Sequence, residues 1–137
     1  RRIAFDFGDA RIGVAVSDSD SILSSPHSTL KATDKNLFTS IIAIFQEIEP
    51  VQIFVGKPAL LSGNSGSAAE KAEEFAKKLT EITDVEIVMV DERMSTISAA
   101  RSLREAGRNA KDSKSSIDMA AAVAILDFGL ELQKSKK

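Results

Sequence analysis

The chain contains no cysteine, tryptophan or tyrosine, and its only histidine is His27. Disulfides and thiolate zinc sites are therefore excluded, and a single histidine does not make a histidine cluster. Any bound metal must be held by oxygen ligands, which favours Mg²⁺ or Mn²⁺ over zinc. Without tryptophan and tyrosine the chain also lacks an obvious platform for stacking bases, so sequence-specific binding of single strands is not expected.

Long apolar stretches are missing as well. No stretch approaches the roughly 18 apolar residues that cross a membrane, and no signal peptide is recognisable, so we expect a cytoplasmic protein with no membrane partner. The chain has 137 residues, of which 43% are hydrophobic and 28% charged. This is the size and composition of one globular domain with a real core, so a single domain over 1–137 is expected.

The charge is unevenly distributed along the chain. The formal net charge is −2, yet the segment 93–114 carries +4 and the remainder −6. The basic residues of this segment are Arg93, Arg101, Arg104, Arg108, Lys111 and Lys114. Such a segment can hold the phosphates of a nucleic acid, and an exposed helix face explains it equally well.

The spacing of apolar residues predicts an α/β fold. Residues 2–8 alternate between large apolar residues and Ala4, Asp6 and Gly8, which is the period of a strand. Gly8 to Arg11 predicts a hairpin turn, and Pro26 predicts that the third strand is an edge strand or contains a bulge. The expected order is β-β-β-α-β-α-β-α-α, in a mixed sheet flanked by helices on both faces. Its last two helices are predicted over 95–107 and from Ser115 or Ser116 to Leu132.

Three acidic residues lie at the edges of apolar elements: Asp6, Glu92 and Asp118. Removing a carboxylate from water is costly unless it has a partner, so a shared divalent cation is the leading interpretation. Parallel strands end at one rim of an open sheet, where Glu92 would follow a strand and Asp118 would begin the last helix. Two magnesium ions about 4 Å apart in such a site activate water and stabilise the leaving oxygen of a phosphodiester.

Each of these acids also has a purely structural explanation. Asp118 could form a capping box with Ser115, and Asp6 could accept hydrogen bonds from turn amides. Glu92 could pair with the neighbouring Arg93. Lys57, at a strand end, is either a phosphate contact or an exposed loop lysine. The loop over 62–67 lacks the pattern G-x-x-x-x-G-K-[ST], which excludes a P-loop.

Five segments carry a resemblance to a known family. They are Asp6-Phe7-Gly8, Arg11 to Asp18, Val55-Gly56-Lys57-Pro58, Asp91 to Thr96, and Ile117-Asp118 followed by Ala120-Ala121-Ala122. Together, in this order and spacing, they resemble the YqgF (RuvX) family, whose members are described as Holliday junction resolvases or pre-16S rRNA nucleases. The resemblance covers nearly the whole chain.

This resemblance implies an RNase H-like fold and a phosphodiesterase dependent on Mg²⁺ or Mn²⁺ that acts on structured nucleic acid. The acidic positions of the family fall on Asp6, Glu92 and Asp118, and its basic positions, which would contact phosphate, fall on Arg11, Arg93 and Lys114. The expected role is processing of the 5′ end of pre-16S rRNA in ribosome biogenesis, with pre-rRNA and a ribosomal subunit precursor as partners.

The chain departs from the family's pattern at the end of one strand. Lys57 stands where the family more often has an apolar residue. Gly56, beside it, stands where many RNase H-like enzymes have an acid, which favours one metal ion over two.

The leading hypothesis is an endonuclease in which Asp6 and Asp118 ligate the metal, Glu92 ligates it or orients water, and the basic segment grips the backbone. A Holliday junction resolvase on DNA and a non-catalytic RNA-binding assembly factor are the alternatives. An actin-like ATPase or sugar kinase would need a second such domain. We expect a monomer or weak dimer, because no dimer stripe is apparent in the sequence.

Overall fold

The computed structural model describes residues 1–8, 11–20, 23–57, 66–91 and 114–135. Side chains are not described at 57, 66–69, 91, 114–120 and 134–135. The helix predicted over 95–107 lies outside these ranges, as do Glu92 and most of the basic segment.

Five strands form one mixed sheet. They are β1 (Arg2–Phe7), β2 (Arg11–Ser17), β3 (Ser24–Lys31), β4 (Gln52–Lys57) and β5 (Glu86–Asp91), in the spatial order β3-β2-β1-β4-β5. The first three strands are antiparallel neighbours, whereas β1, β4 and β5 are parallel. The Gly8 N–H donates to the Arg11 carbonyl at 3.0 Å, which closes the predicted hairpin. The predicted mixed sheet is thereby confirmed, with β1 at its centre.

Three helices pack on this sheet: α1 (Leu37–Ile48), α2 (Gly66–Ile82) and α3 (Lys114–Ser135). Beyond α1, Glu49 has a left-handed φ of 52°, and Pro50 follows where the helix can no longer continue. The helix α3 begins at Lys114, slightly earlier than predicted, so Ser115 lies inside it. None of the helices in the described parts of the chain has the length and hydropathy that a membrane crossing requires.

The alternation of β1 divides the core into two layers. Ile3 and Phe5 belong to the cluster formed with α1 and α2, whereas Ala4 belongs to the cluster formed with α3. Asp6 follows Ala4 by two residues and therefore lies on the α3 face of the sheet. The prediction that Asp6 lies opposite the large apolar residues is confirmed.

A β-bulge changes the alternation of the edge strand β3. Val14 pairs with Ser28, but the next residue of β2, Ala15, pairs with Pro26, so His27 is the extra residue. Pro26 thus lies beside a bulge on an edge strand, as predicted. Because the bulge inserts one residue, the faces of all positions after His27 are exchanged relative to a regular strand.

Small residues let α3 lie close to the sheet. A Cβ atom placed on Gly129 would come within 2.7 Å of the ring of Phe54, which is fully buried in β4. Ala4 and Ala15 contribute to the same cluster from β1 and β2. The helix contacts all five strands, so this close approach sets the position of the layer that Asp6 faces.

We predict that Gly129→Ala destabilises the protein. Overpacking against the Phe54 ring costs about 1–3 kcal/mol, whereas alanine gains about 1 kcal/mol in helix propensity. In a Phe54→Val background no Cδ or Cε atom remains to meet the new methyl group, so the same change should instead stabilise the protein by about 1 kcal/mol. Urea unfolding of the four proteins measures this double-mutant cycle, and an equal effect of Gly129→Ala in both backgrounds would contradict the contact.

Candidate active site

Asp6 is a fully buried acid on the central strand, with 0% of its surface exposed. Its partner in the neighbouring strand β2 is Gly13. In β4 it is level with Gly56, one residue beyond the pair formed by Phe5 and Val55. Both flanking residues are glycines, so neither neighbouring strand places a side chain beside the carboxylate. The fold therefore holds one acid between two positions that have no side chains.

The carboxyl ends of the parallel strands lie together at one rim, as predicted from the strand order. Asp6 is one residue before the end of β1, and Lys57 and Asp91 end β4 and β5. Lys57 pairs with Asp91 in the parallel register. Position 57 is two residues after Val55 and therefore lies on the same face of the sheet. Val55 belongs to the cluster formed with α1 and α2, so this face is the one opposite Asp6.

Position 118 lies near the start of α3. It precedes the buried Ala122 by four residues, about one helical turn, and its side chain is not among those described. Val90, two residues before Glu92, packs in the layer between the sheet and α3 and is level with Gly56, while Glu92 itself lies outside the described residues.

The predicted phosphate-binding residues are distributed unevenly over the described structure. Arg11 is the first residue of β2 and is exposed. It is two residues before Gly13, the partner of Asp6, and therefore lies on the same face of the sheet as Asp6. Lys114 is the first residue of α3. The remaining predicted contacts of the basic segment lie outside the described residues: Arg93, Arg101, Arg104 and Arg108.

A polar network at the opposite end of the sheet fixes the register that places these residues. The Arg2 Nε–H donates to Gln52 Oε1 at 2.8 Å, and Gln52 Nε2 donates to Glu86 Oε1 at 2.6 Å. These three side chains join β1, β4 and β5 at the start of each strand. Because parallel strands keep their register along their length, this network helps determine that Gly56 is level with Asp6.

The sequence singled out Gly56 only as a position without the acid that many RNase H-like enzymes have there, and it did not single out Gly13. Gly13 had a recognisable signal, because a hairpin closed between Gly8 and Arg11 places residue 13 opposite Asp6. The position of Gly56 beside Asp6 had no such signal, since it depends on the parallel pairing of β1 with β4, two strands separated by β2, β3 and α1.

The donor set suits a hard divalent cation. Asp6, Glu92 and Asp118 offer only carboxylate oxygens, which are the ligands that Mg²⁺ and Mn²⁺ prefer. Gly13 and Gly56 place no side chain of the neighbouring strands beside the Asp6 carboxylate. Within the described side chains no three acidic or histidine residues lie together as a metal cluster, and those of Glu92 and Asp118 are not among them.

Comparison with known proteins finds relatives that match nearly the whole length of the chain. The family described as "RuvX: Holliday junction resolvase" matches residues 1–131. A Cutibacterium acnes protein named "Putative pre-16S rRNA nuclease" is 46% identical over 131 residues, which cover 95% of this chain and 81% of that protein. A Streptomyces coelicolor protein of the same name is 42% identical over 136 residues, covering 98% of this chain and 81% of that protein.

Solved structures show the same fold. Thermus thermophilus RuvC in complex with a Holliday junction substrate superposes with a TM-score of 0.62 at 12% sequence identity, covering 96% of both chains. A second structure of the same RuvC gives a TM-score of 0.51, also at 12% identity, covering 97% of this chain and 96% of that chain. The fold is therefore RNase H-like, as the sequence resemblance implied.

We predict that Mn²⁺ raises the melting temperature of the wild-type protein and that Asp6→Asn abolishes this shift. A ligand that binds only the folded state stabilises it by about 2.7 kcal/mol at 100 times its Kd, and asparagine keeps the shape of Asp6 without its anionic oxygen. Asp127→Asn is the matched control, because Asp127 is an exposed acid of α3. Thermal unfolding with Mn²⁺ and with EDTA measures the effect, and an undiminished shift in Asp6→Asn would refute the assignment.

Proposed function

The chain belongs to the RuvX family of Holliday junction resolvases, and from this membership we propose that residues 1–137 form one endonuclease domain that hydrolyses phosphodiester bonds in structured nucleic acid. The observation that carries the proposal is the Asp6 carboxylate, fully buried on the central strand near the common rim of the parallel strands. A fully buried acid near the end of a central strand suits a ligand that must be held rigidly.

Asp6 and Asp118 would hold Mg²⁺ or Mn²⁺, and Glu92 would either join them or orient the attacking water. Magnesium bound to these carboxylates supplies a polarised water and positive charge beside the phosphate. Asp6 is rigid because its strand is hydrogen-bonded on both sides, to β2 and to β4.

The substrate backbone would be held by basic residues around the rim. Arg11 lies on the Asp6 face, and Lys57 ends β4 at the same rim. The remaining phosphate contacts of the proposal come from the basic segment: Arg93, Arg101, Arg104, Arg108 and Lys114. Contacts of this kind bind the phosphates of many sequences alike, so selection of the substrate would depend on its shape.

The proposed substrate is the 5′ end of pre-16S rRNA, within a precursor of the ribosomal subunit. Two relatives that are 46% and 42% identical carry the name of a pre-16S rRNA nuclease, and this supports RNA as the substrate. Such a substrate implies that the enzyme acts in the cytoplasm, where ribosomes are assembled. A monomer or weak dimer is sufficient for a single cut at one RNA end.

A four-way DNA junction is the second candidate substrate, because the matching family is described as Holliday junction resolvases. Resolution of a symmetric junction requires two cuts, and hence two active sites arranged by a dimer. The likeness to RuvC supports the fold alone at 12% identity, so it does not favour DNA over RNA. A non-catalytic RNA-binding assembly factor would bind the same RNA without turnover.

We predict that Asp6→Asn lowers the rate of pre-16S rRNA cleavage by at least about 100-fold. Loss of a residue that only supports a metal ligand typically costs about 10–100-fold, and loss of the ligand itself should cost at least as much. The assay follows a 5′-labelled precursor fragment with Mg²⁺ or Mn²⁺, and Asp127→Asn should cleave at the wild-type rate. Intact cleavage by Asp6→Asn would refute the catalytic role of Asp6.

A parallel assay on a four-way DNA junction separates the candidate functions. We expect the wild-type protein to cleave the precursor RNA faster than the junction. Faster cleavage of the junction would assign the enzyme to DNA. Binding of the RNA with no cleavage in either metal would favour the non-catalytic assembly factor.

A further inference from the structure

Two cations stand side by side at one end of the antiparallel pair β2–β3. Arg11, the first residue of β2, pairs directly with Lys31, the last residue of β3, and both are exposed. Directly opposite residues of an antiparallel pair have Cβ atoms about 4.5–5.5 Å apart, and like charges in this arrangement are unfavourable. The fold thus places two positive charges next to each other at an exposed position.

Both residues lie on the face of the sheet that carries Asp6. Arg11 is four residues before Ala15 on β2 and lies on the same face, where Ala15 packs in the cluster formed with α3. Lys31 pairs with Arg11 and therefore lies on this face too. The bulge at His27 is responsible for this placement, because a regular strand starting at Ser24 would put Lys31 on the other face. The like-charged pair and the buried carboxylate are therefore on one surface, at the same end of β1.

On the face that carries Asp6, the described residues between Asp6 and this pair are glycines. Gly8, just after β1, follows Asp6 by two residues, and Gly13 follows Arg11 by two residues on β2. From the strand spacing, the Cα atom of Arg11 is about 8 Å from that of Asp6, and the Cα atom of Lys31 is about 12 Å away. A Cβ atom on Gly8 would come within 2.9 Å of the Arg11 carbonyl oxygen, so the turn itself requires a glycine there.

Short turns hold the two cations in place. The Arg11 carbonyl accepts from the Gly8 N–H at 3.0 Å, and the Lys31 carbonyl accepts from the Asp34 N–H at 3.1 Å. The Asp34 carboxylate accepts from the Asn36 N–H at 2.8 Å and so serves the start of α1. Within the described parts of the chain, Lys31 has no ion pair.

We propose that Arg11 and Lys31 form a phosphate clamp that directs the backbone of the nucleic-acid substrate across the end of β2–β3 to Asp6. This inference rests on the proposed nuclease function and adds Lys31 and a substrate path to it. A phosphate between the two cations converts their repulsion into two attractive contacts. On this face the described part of β2 and β3 after the bulge offers Gly13 and Thr29 beside the pair, and no aromatic ring, so the clamp binds backbone phosphates rather than bases.

The test compares Lys31→Gln with Lys77→Gln, a matched control in which an exposed lysine of α2 is neutralised. Binding to a single-stranded 5′-leader fragment of pre-16S rRNA, and to oligouridine, is measured in EDTA over a range of salt concentrations. Loss of one phosphate contact should weaken binding of both RNAs about 10-fold and lower the slope of log K against log salt by about 0.7. Lys31→Arg should retain wild-type binding.

Stability provides a second readout that a structural role would not produce. Because Lys31→Gln relieves the repulsion from Arg11, its melting temperature should equal or exceed that of the wild type while RNA binding weakens. Lys31→Glu should weaken binding further, since it also neutralises Arg11. Unchanged salt slopes for Lys31→Gln, or equal losses for Lys77→Gln, would overturn the clamp.

The binding assay does not require hydrolysis, so the two proposals can fail separately. Wild-type RNA binding that depends on Lys31, without cleavage in Mg²⁺ or Mn²⁺, would retain the clamp and reject the nuclease. Cleavage by the wild type, with Lys31→Gln identical to it in RNA affinity and salt slope, would reject the clamp and retain the nuclease.

Discussion

The arrangement of the molecule depends on one constraint, which is the alternation of side chains along the central strand β1. Ile3 and Phe5 fill the core beneath α1 and α2, and the intervening Ala4 and Asp6 face α3. A slip of one residue would move the Asp6 carboxylate into the apolar core and expose the large side chains to the α3 layer. The cost of burying an unpaired charge among apolar groups makes such a slip very unfavourable, so the apolar pattern and the acid specify the same register.

The neighbouring strands convert this register into a site. Glycines at positions 13 and 56 flank Asp6, and the network of Arg2, Gln52 and Glu86 fixes the parallel strands at their far end. Gly129 packs closely against the Phe54 ring and so holds α3 near the same face. Small residues therefore determine both the close packing of α3 and the surroundings of Asp6.

The sequence predicted the face of Asp6 and the hairpin after it, because both depend on residues close together in the chain. The flanking glycine of β4 was not predictable, since nothing in the sequence specifies which distant strand pairs with β1. The face of the sheet on which Lys31 lies was not predictable for a different reason. A single inserted residue, His27, reverses the alternation of β3, and although Pro26 signalled a bulge or an edge, the position of the bulge emerges only from the pairing with β2.

Two departures from local rules occur at the same end of the sheet: an acid without exposed surface, and two cations directly opposite each other. Departures of this kind are typical of places where a protein binds a ligand. A cation would bind at Asp6, and a phosphate would bind at Arg11 and Lys31. A metal-bound phosphodiester carries both charges in one complex, and for this reason a nucleic-acid backbone accounts for the acid and the basic pair together, whereas a metal ion or an anion alone accounts for only one.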